Sequence, residues 1–273
     1  MNSIPITSLD DPRVAVYRDL PDRDLAGEQG LFMAEGELVV RRLVEESPLV
    51  VRSLFLSEKR FRAMEPWLDE RAAGAPIYVA SQETLDAVAG FHLHRGVLAA
   101  GERPPRRDAR ALLADTPTPA IVVVLEDLAN HDNVGGIFRS ASAFGVAGVI
   151  LTNRCVDPLY RKATRVSIGA TLTMPFARER TGRDALDALH GAGFVTVAMT
   201  PGADATELGE WLARAGSPER LALLLGAEGA GLKETTLAGA AARGRLGRMV
   251  GVDSLNVAVA AGIALYEIAS SRR

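Results

Sequence analysis

The sequence predicts an α/β protein whose carboxyl-terminal part is built on a parallel sheet, and three observations carry that prediction. Apolar runs of strand length alternate with helix-like segments from Ala120 onward. Those runs are continuous rather than alternating in polarity, as strands covered on both faces are. A shorter α/β pattern comes before them, across a joint rich in proline and arginine.

In the first part, Ala34 to Glu46 reads as a helix, with Leu38, Arg41, Arg42 and Glu45 at helical spacing, and Val51 to Ser57 alternates as a strand. Pro76 to Ser81 and Arg95 to Gly101 are further strands, and Gln82 to Val88 is a helix opened by Ser81 as N-cap. Residues 1–102 then form a small α/β domain. Residues 103–119 read as a linker, because four prolines and four arginines crowd the stretch from Gly101 to Pro119 with little apolar periodicity.

Residues 120–273 form the second domain. Its strands are Ala120 to Leu128, Val146 to Thr152, Phe194 to Thr200 and Leu221 to Gly226, with helices over Val134 to Phe144 and near Asp184 to His190. The closing helix, Val257 to Ile268, is apolar nearly all round and is expected to be buried. Ligands on such sheets sit beyond the carboxyl ends of the strands. Three stretches rich in small residues fall there: Asn133 to Gly145, Leu223 to Leu232, and Gly251 to Glu267.

At 273 residues, with a net charge of -3, the chain is no polybasic nucleic-acid binder, so any contact with phosphate must be local. The start of the chain has no signal-peptide pattern and no apolar stretch is long enough to span a bilayer, so a cytoplasmic protein without membrane contact is expected. Cys155 is the single cysteine and reads as a packing residue. His92 and His94 alternate as a metal pair would, but no third ligand is near, so no metal is expected. The dinucleotide fingerprint G-x-G-x-x-G is missing after the early strands, and the run from Gly226 to Gly231 has other spacing. The P-loop lysine pattern is missing too, which disfavours phosphoryl transfer from a nucleotide.

Taken together, the three stretches resemble the signature motifs of the SpoU/TrmH family of RNA ribose 2'-O-methyltransferases, within the SPOUT class. Residues 3–46 also resemble the family's substrate-binding domain, which is similar to kink-turn-binding ribosomal proteins. The resemblance implies a trefoil knot in the carboxyl-terminal sheet, S-adenosylmethionine (S-adenosyl-L-methionine) as cofactor and a homodimer partly built on the last helix. It implies structured RNA as substrate, ribosomal RNA ahead of transfer RNA; the rival is a non-catalytic RNA-binding or ribosome-assembly protein on the same fold. Matching positions put main-chain contacts to the cofactor at Thr200, Gly226, Leu246 and Leu255. Leu246, Gly247 and Arg248 stand where the family has Ile-Pro-Met, so a glycine replaces a rigid proline.

The same matching makes Arg139 the catalytic arginine. Its guanidinium can fork onto a phosphate and stays protonated at neutral pH, which favours stabilising a developing alkoxide over abstracting a proton. Taken alone, an arginine on a helix is a solvated surface group. Asn133 is either a helix cap or a group orienting Arg139 or the ribose, and Glu228 either an idle loop carboxylate or a partner fixing Asn133 or Arg139. Ser254 and Asn256 open the last helix, where Asp253 also can cap; Ser254 is expected to meet the nucleotide and Asn256 to steady the loop. Arg154, Arg161, Lys162 and Arg165 are either a solvated face or the phosphate contacts of the RNA.

Overall fold

The computed structural model describes residues 3–18, 22–71, 74–90, 92–93, 95–247 and 254–272. The chain divides into two compact units, one made of Met1–Pro105 and Pro158–Thr173, the other of Arg106–Asp157 and Met174–Arg273. An excursion from the second half thus completes the first unit.

The first unit contains β1 (Ser3–Pro5), a 3-10 turn (Pro12–Tyr17), α1 (Asp22–Glu28), β2 (Leu31–Glu35), α2 (Glu37–Glu45), β3 (Val51–Ser57), α3 (Glu58–Arg71), β4 (Ile77–Ala80), α4 (Gln82–Ala89) and β5 (Val97–Glu102). Its sheet has the order β1-β4-β3-β5-β2, with β5 antiparallel to both neighbours. Val14, Tyr17, Phe55, Leu85 and Leu98 lie in its core, and the buried Tyr17 hydroxyl is satisfied by Ser53 Oγ at 2.7 Å. Ser81 caps α4 as expected, accepting from Thr84 N.

Local readings of this unit needed two corrections. Ala34 and Glu35 end a strand rather than begin a helix; Gly36, at φ 92°, makes the break that lets α2 start at Glu37. In β3 every residue from Ser53 to Ser57 is buried, so its apparent alternation was a coincidence of composition in a strand covered on both faces.

The second unit follows with α5 (Ala109–Ala114), β6 (Ala120–Glu126), α6 (His131–Ala143) and β7 (Gly148–Thr152). The excursion carries α7 (Arg161–Val166) and α8 (Ala170–Thr173). The chain then continues through β8 (Phe176–Glu179), α9 (Gly182–Gly191), β9 (Val195–Met199), β10 (Thr206–Glu207), α10 (Leu208–Ala215), β11 (Arg220–Gly226), α11 (Glu234–Gly239), β12 (Ala242–Arg245) and α12 (Val257–Ser270). The stretch read as a linker therefore carries α5, capped by Asp108, with Leu112 and Leu113 buried in the core of this unit. A helix of six residues leaves too little periodicity to register in the sequence.

Every ladder of the seven-stranded sheet is parallel, in the order β10-β12-β9-β11-β6-β7-β8. The late strand β11 lies between β9 and β6, so the chain must return to the middle of a sheet already laid down. This is the all-parallel arrangement of the SPOUT trefoil-knot proteins. Residues 248–253, through which α12 is reached, lie outside the described residues.

Helix α12 lies on α6 with matching four-residue steps: Gly136 faces Ala258, Ser140 faces Gly262, and Phe144 meets Tyr266 edge-on at 6.2 Å between ring centres. Small residues at the first two levels let the backbones approach closely. Only one side of α12 is buried, through Ala261, Ala264, Leu265 and Ile268; Leu255, Val259, Ile263 and Tyr266 are exposed on this single chain. On α6, Ile137, Phe138 and Ala141 pack inward. Phe138→Ala, which deletes a fully buried ring packed edge-on against Phe176, is expected to cost about 3–5 kcal/mol in chemical denaturation; a cost below about 1 kcal/mol would show that the sheet face is not close-packed there.

Candidate active site

The site is laid out by where neighbouring strands part. Strands β9 and β11 stay paired up to Ala198 and Leu224. Beyond that point β11 keeps pairing with β6 as far as Gly226 and Glu126, while β9 pairs with β12 as far as Met199 and Gly244. Two residues further along the register, Thr200 and Gly226 face each other across a gap in the ladder at the carboxyl edge of the sheet. Leu246 directly follows β12 on the same edge. Parting strands at such an edge make a crevice for a ligand.

The Thr200 amide already donates to Gly244 O at 2.9 Å, so only its carbonyl is left for a ligand. At Gly226 a β-carbon would overlap the main chain of Gly231 and Leu232, because the loop after β11 doubles back on the strand end and closes with Gly231 N donating to Ala227 O at 2.9 Å. Glycine is demanded here by the crossing of two main chains. Leu246 is half-buried, and the next residue, Gly247, lies beside the Glu207 carboxylate, whose Oε2 would stand 2.7 Å from a β-carbon there. Arg248 and Asp253 lie outside the described residues.

A single side chain ties the three stretches together. Asn256 Nδ2 donates to Asn133 Oδ1 at 2.8 Å and to Glu228 Oε1 at 3.0 Å, while its Oδ1 accepts from Ala258 N at 2.9 Å and Val259 N at 3.3 Å. Asn256 is therefore the N-cap of α12 as well as the link. Because two amides occupy its oxygen, the carboxamide cannot turn over, and it presents only donors to the other two residues. Asn133 is buried in the first turn of α6 and does not cap it; Asn130 does, accepting from Asp132 N. With its Oδ1 committed to Asn256, Asn133 has its Nδ2 to offer as a donor. Glu228 and Ser254 are exposed, and so is Leu255.

Arg139 is exposed on α6, six residues beyond Asn133 and away from the buried face. Among the described residues it has no hydrogen-bond or ion-pair partner, so its guanidinium is available to an incoming anion.

The loop from β6 to α6 is held by groups that the sequence did not single out. Asp127, at φ 58°, donates its amide to Thr152 Oγ1 and accepts from that hydroxyl at 2.9 Å and from Lys233 Nζ at 2.8 Å. Burial pushes the Asp127 carboxyl up, yet the hydrogen bonds from Lys233 and Thr152 and the charges of Lys233 and Arg154 outweigh it and hold it below the ordinary aspartate range. Its stabilising effect is thus present at neutral pH and lost on acidification through that lowered value. Cys155, which packs as expected, takes Leu128 N at 3.3 Å and donates to Leu125 O at 3.1 Å; burial raises its thiol, so it is a poor nucleophile. The visible signal for this frame was the charged pair Glu126-Asp127 closing an otherwise apolar strand.

The four basic candidates separate. Arg154 is well exposed in the second unit, 3.9 Å from Asp127 Oδ2. Arg161, Lys162 and Arg165 sit on α7 within the first unit. There Arg161 is half-buried and paired with Asp22 at 3.2 Å, Arg165 pairs with Glu35 at 3.2 Å, and Lys162 is exposed. His92 binds Asp86 at 2.6 Å, His94 lies outside the described residues, and no group of three or more potential ligands among the described residues is placed to hold a metal.

The residues present fit a cofactor of the S-adenosylmethionine type. The crevice edge offers main-chain groups at Thr200 and Gly226, where β9 and β11 have parted, and a half-buried apolar side chain at Leu246, which suits a flat heteroaromatic base with polar edges. Asn256→Ala removes the cap of α12 and both donors, and is expected to lower the unfolding free energy by about 1–3 kcal/mol in urea titration. Asn256→Ser keeps a neutral acceptor for the cap and should lose less; equal losses would show that the cap contributes nothing.

The model of the SpoU rRNA Methylase family matches residues 120–266. An uncharacterised tRNA/rRNA methyltransferase of Mycobacterium bovis is 43% identical over 94% of this chain and 88% of its own length. A 23S rRNA (guanosine-2'-O-)-methyltransferase of Yersinia pestis is 30% identical over 85% of this chain and 94% of its own length. Among solved structures, the AdoMet-bound rRNA methyltransferase of Sinorhizobium meliloti superposes with a TM-score of 0.80 at 25% identity, covering 97% of each chain. The family match spans the whole parallel sheet, the first two stretches that Asn256 joins and all but the last residue of the third, and the chain belongs to the SpoU rRNA methylase family.

Proposed function

We propose that the chain transfers a methyl group from S-adenosylmethionine to a ribose 2'-hydroxyl in structured RNA, with ribosomal RNA as the substrate. The observation that carries this reading is the bonding of Asn256 to both Asn133 and Glu228, which brings the three family motifs together at the carboxyl edge of the sheet. S-adenosylmethionine supplies an electrophilic methyl group on a positively charged sulfur. The protein's work is to hold that donor and a ribose hydroxyl in line and to stabilise the charge that forms on the oxygen.

Thr200, Gly226, Leu246 and Leu255 border the donor through main-chain groups, the first two at the parting of the strands, and the half-buried Leu246 adds its side chain. Arg139 binds the phosphate beside the target nucleotide and the emerging oxyanion. Asn133 offers its Nδ2 as a donor to the sugar, Glu228 holds Asn256 in place and leaves one carboxylate oxygen for the nucleotide, and Ser254 adds an exposed hydroxyl. A permanently charged guanidinium is unsuited to removing a proton, so the 2'-hydroxyl proton leaves to solvent or to an RNA phosphate oxygen as the new C–O bond forms.

Residues 1–102 recognise the RNA by shape, through phosphate and ribose contacts. The exposed cations Arg154, Lys162 and Arg165 meet phosphate, whereas Arg161, half-buried against Asp22, fixes the start of α7. No helix among the described residues is long and apolar enough to cross a membrane, in keeping with a cytoplasmic enzyme working on RNA.

The exposed stripe of α12 supports a homodimer. Val259 is 53% and Tyr266 61% accessible, and with Ile263 they form one apolar row along α12 that a second copy would cover. Val259→Glu is expected to shift the protein to a monomer in sedimentation equilibrium. A wild type that is already monomeric at micromolar concentration would remove the dimer from the proposal.

Arg139→Ala is expected to leave S-adenosylmethionine affinity nearly unchanged in calorimetry while lowering turnover on RNA by about 10²–10³-fold, since the lost interaction acts in the transition state. Incorporation of tritiated methyl groups into RNA measures this; unchanged turnover would take Arg139 out of the mechanism. Cofactor binding by the wild type without incorporation into any RNA class would favour the non-catalytic RNA-binding rival.

A further inference from the structure

Glu126 is the last residue of β6 and only 1% exposed. Its Oε2 accepts from Lys233 N at 3.0 Å and its Oε1 from Thr236 Oγ1 at 3.0 Å, and Thr236 is itself fully buried. The pocket is closed on a third side by Gly182, where a β-carbon would overlap both Glu126 Oε1 and Thr236 Oγ1. Burying a carboxyl group is costly, and this one is retained at the point where two site loops branch. One loop, leading to Asn133, continues covalently from Glu126. The other, residues 227–233, carries Glu228 and ends on the residue whose amide Glu126 holds.

We propose that Glu126 is a positioning residue that sets the register between the Glu228 loop and the Asn133 loop by accepting hydrogen bonds from Lys233 N and Thr236 Oγ1. The loop it clamps is short and closed: Gly231 N bonds Ala227 O, Leu232 is buried, and the main chain at Gly231 and Leu232 lies against Gly226. Fixing Lys233 therefore fixes Glu228, and through Asn256 the distance from Glu228 to Asn133. Asp127 grips the side chain of the same lysine, a second hold on the same loop end. Its role is geometric, so a neutral group of the same shape can take it over: the carboxamide of Gln accepts from Lys233 N with its oxygen and donates to Thr236 Oγ1 with its nitrogen.

This inference rests on the proposed methyl transfer for its kinetic readout but not for its structural one. Amide hydrogen exchange of the full-length protein should show the Lys233 amide protected in the wild type and in Glu126→Gln, and exchanging about tenfold faster or more in Glu126→Ala and in the isosteric Thr236→Val. In methyl incorporation, Glu126→Gln should stay within about threefold of wild-type kcat, while Glu126→Ala loses about tenfold or more in kcat with a smaller change in KM for RNA. Should Glu126→Ala fail to fold, Thr236→Val carries the test. Unchanged protection and kcat in Thr236→Val, or a Glu126→Gln variant as impaired as a folded Glu126→Ala, would overturn the positioning role. A wild type inactive on every RNA would instead sink the methyltransferase reading and leave the exchange result to decide this one.

Discussion

The carboxamide of Asn256 is the constraint on which the rest of the site depends. Its oxygen is taken by the first amides of α12, so its nitrogen must face the other way, and there it meets Asn133 at the start of α6 and Glu228 in the loop after β11. The start of the last helix cannot move without dragging both partners. A cap worth about 1 kcal/mol on its own thus becomes a fixed relation among three segments, two of them 123 residues apart in sequence.

That relation is possible only because of the sheet's order. Inserting β11 between β9 and β6 brings the ends of late and early strands side by side, and the parting of β9 from β11 beyond Leu224 opens main-chain groups to a ligand. The cost is close crossing of backbone on backbone, met by Gly226 under the returning loop. Gly226 is therefore a packing requirement of the fold before it is a feature of a ligand pocket, whereas Gly229 and Gly231 have open space around them and serve the turn through positive φ values of 81° and 68°.

Much of this was legible in the sequence, and for identifiable reasons. Continuous apolar runs such as those of β6, β7 and β11 marked strands covered on both faces, and the parallel sheet followed. The three stretches were visible because each combines small residues with a few polar groups after such a run. What escaped was set by distant partners or by short elements. α5 hides in a proline-rich stretch, since two adjacent leucines make no period. The capping role of Asn256 rather than Ser254, and of Asn130 rather than Asn133, depends on a register of two or three residues that sequence spacing does not resolve. Glu126 and Asp127 looked like a polar strand end, because their partners Lys233 and Thr236 lie over a hundred positions away. The run of cations from Arg154 to Arg165 looked like one patch, yet the chain divides between its two units inside it.

The central claim is that loops gathered by Asn256 form one site for ribose methylation. It is tested most directly by mapping 2'-O-methyl groups at nucleotide resolution in RNA from cells lacking this chain, complemented either with the wild type or with Asn256→Asp. Aspartate still caps α12 but sets a second carboxylate against Glu228. Restoration of a specific ribose methyl group by the wild type and not by Asn256→Asp is expected; equal restoration by both, or no methyl group lost in the deletion, would contradict the claim.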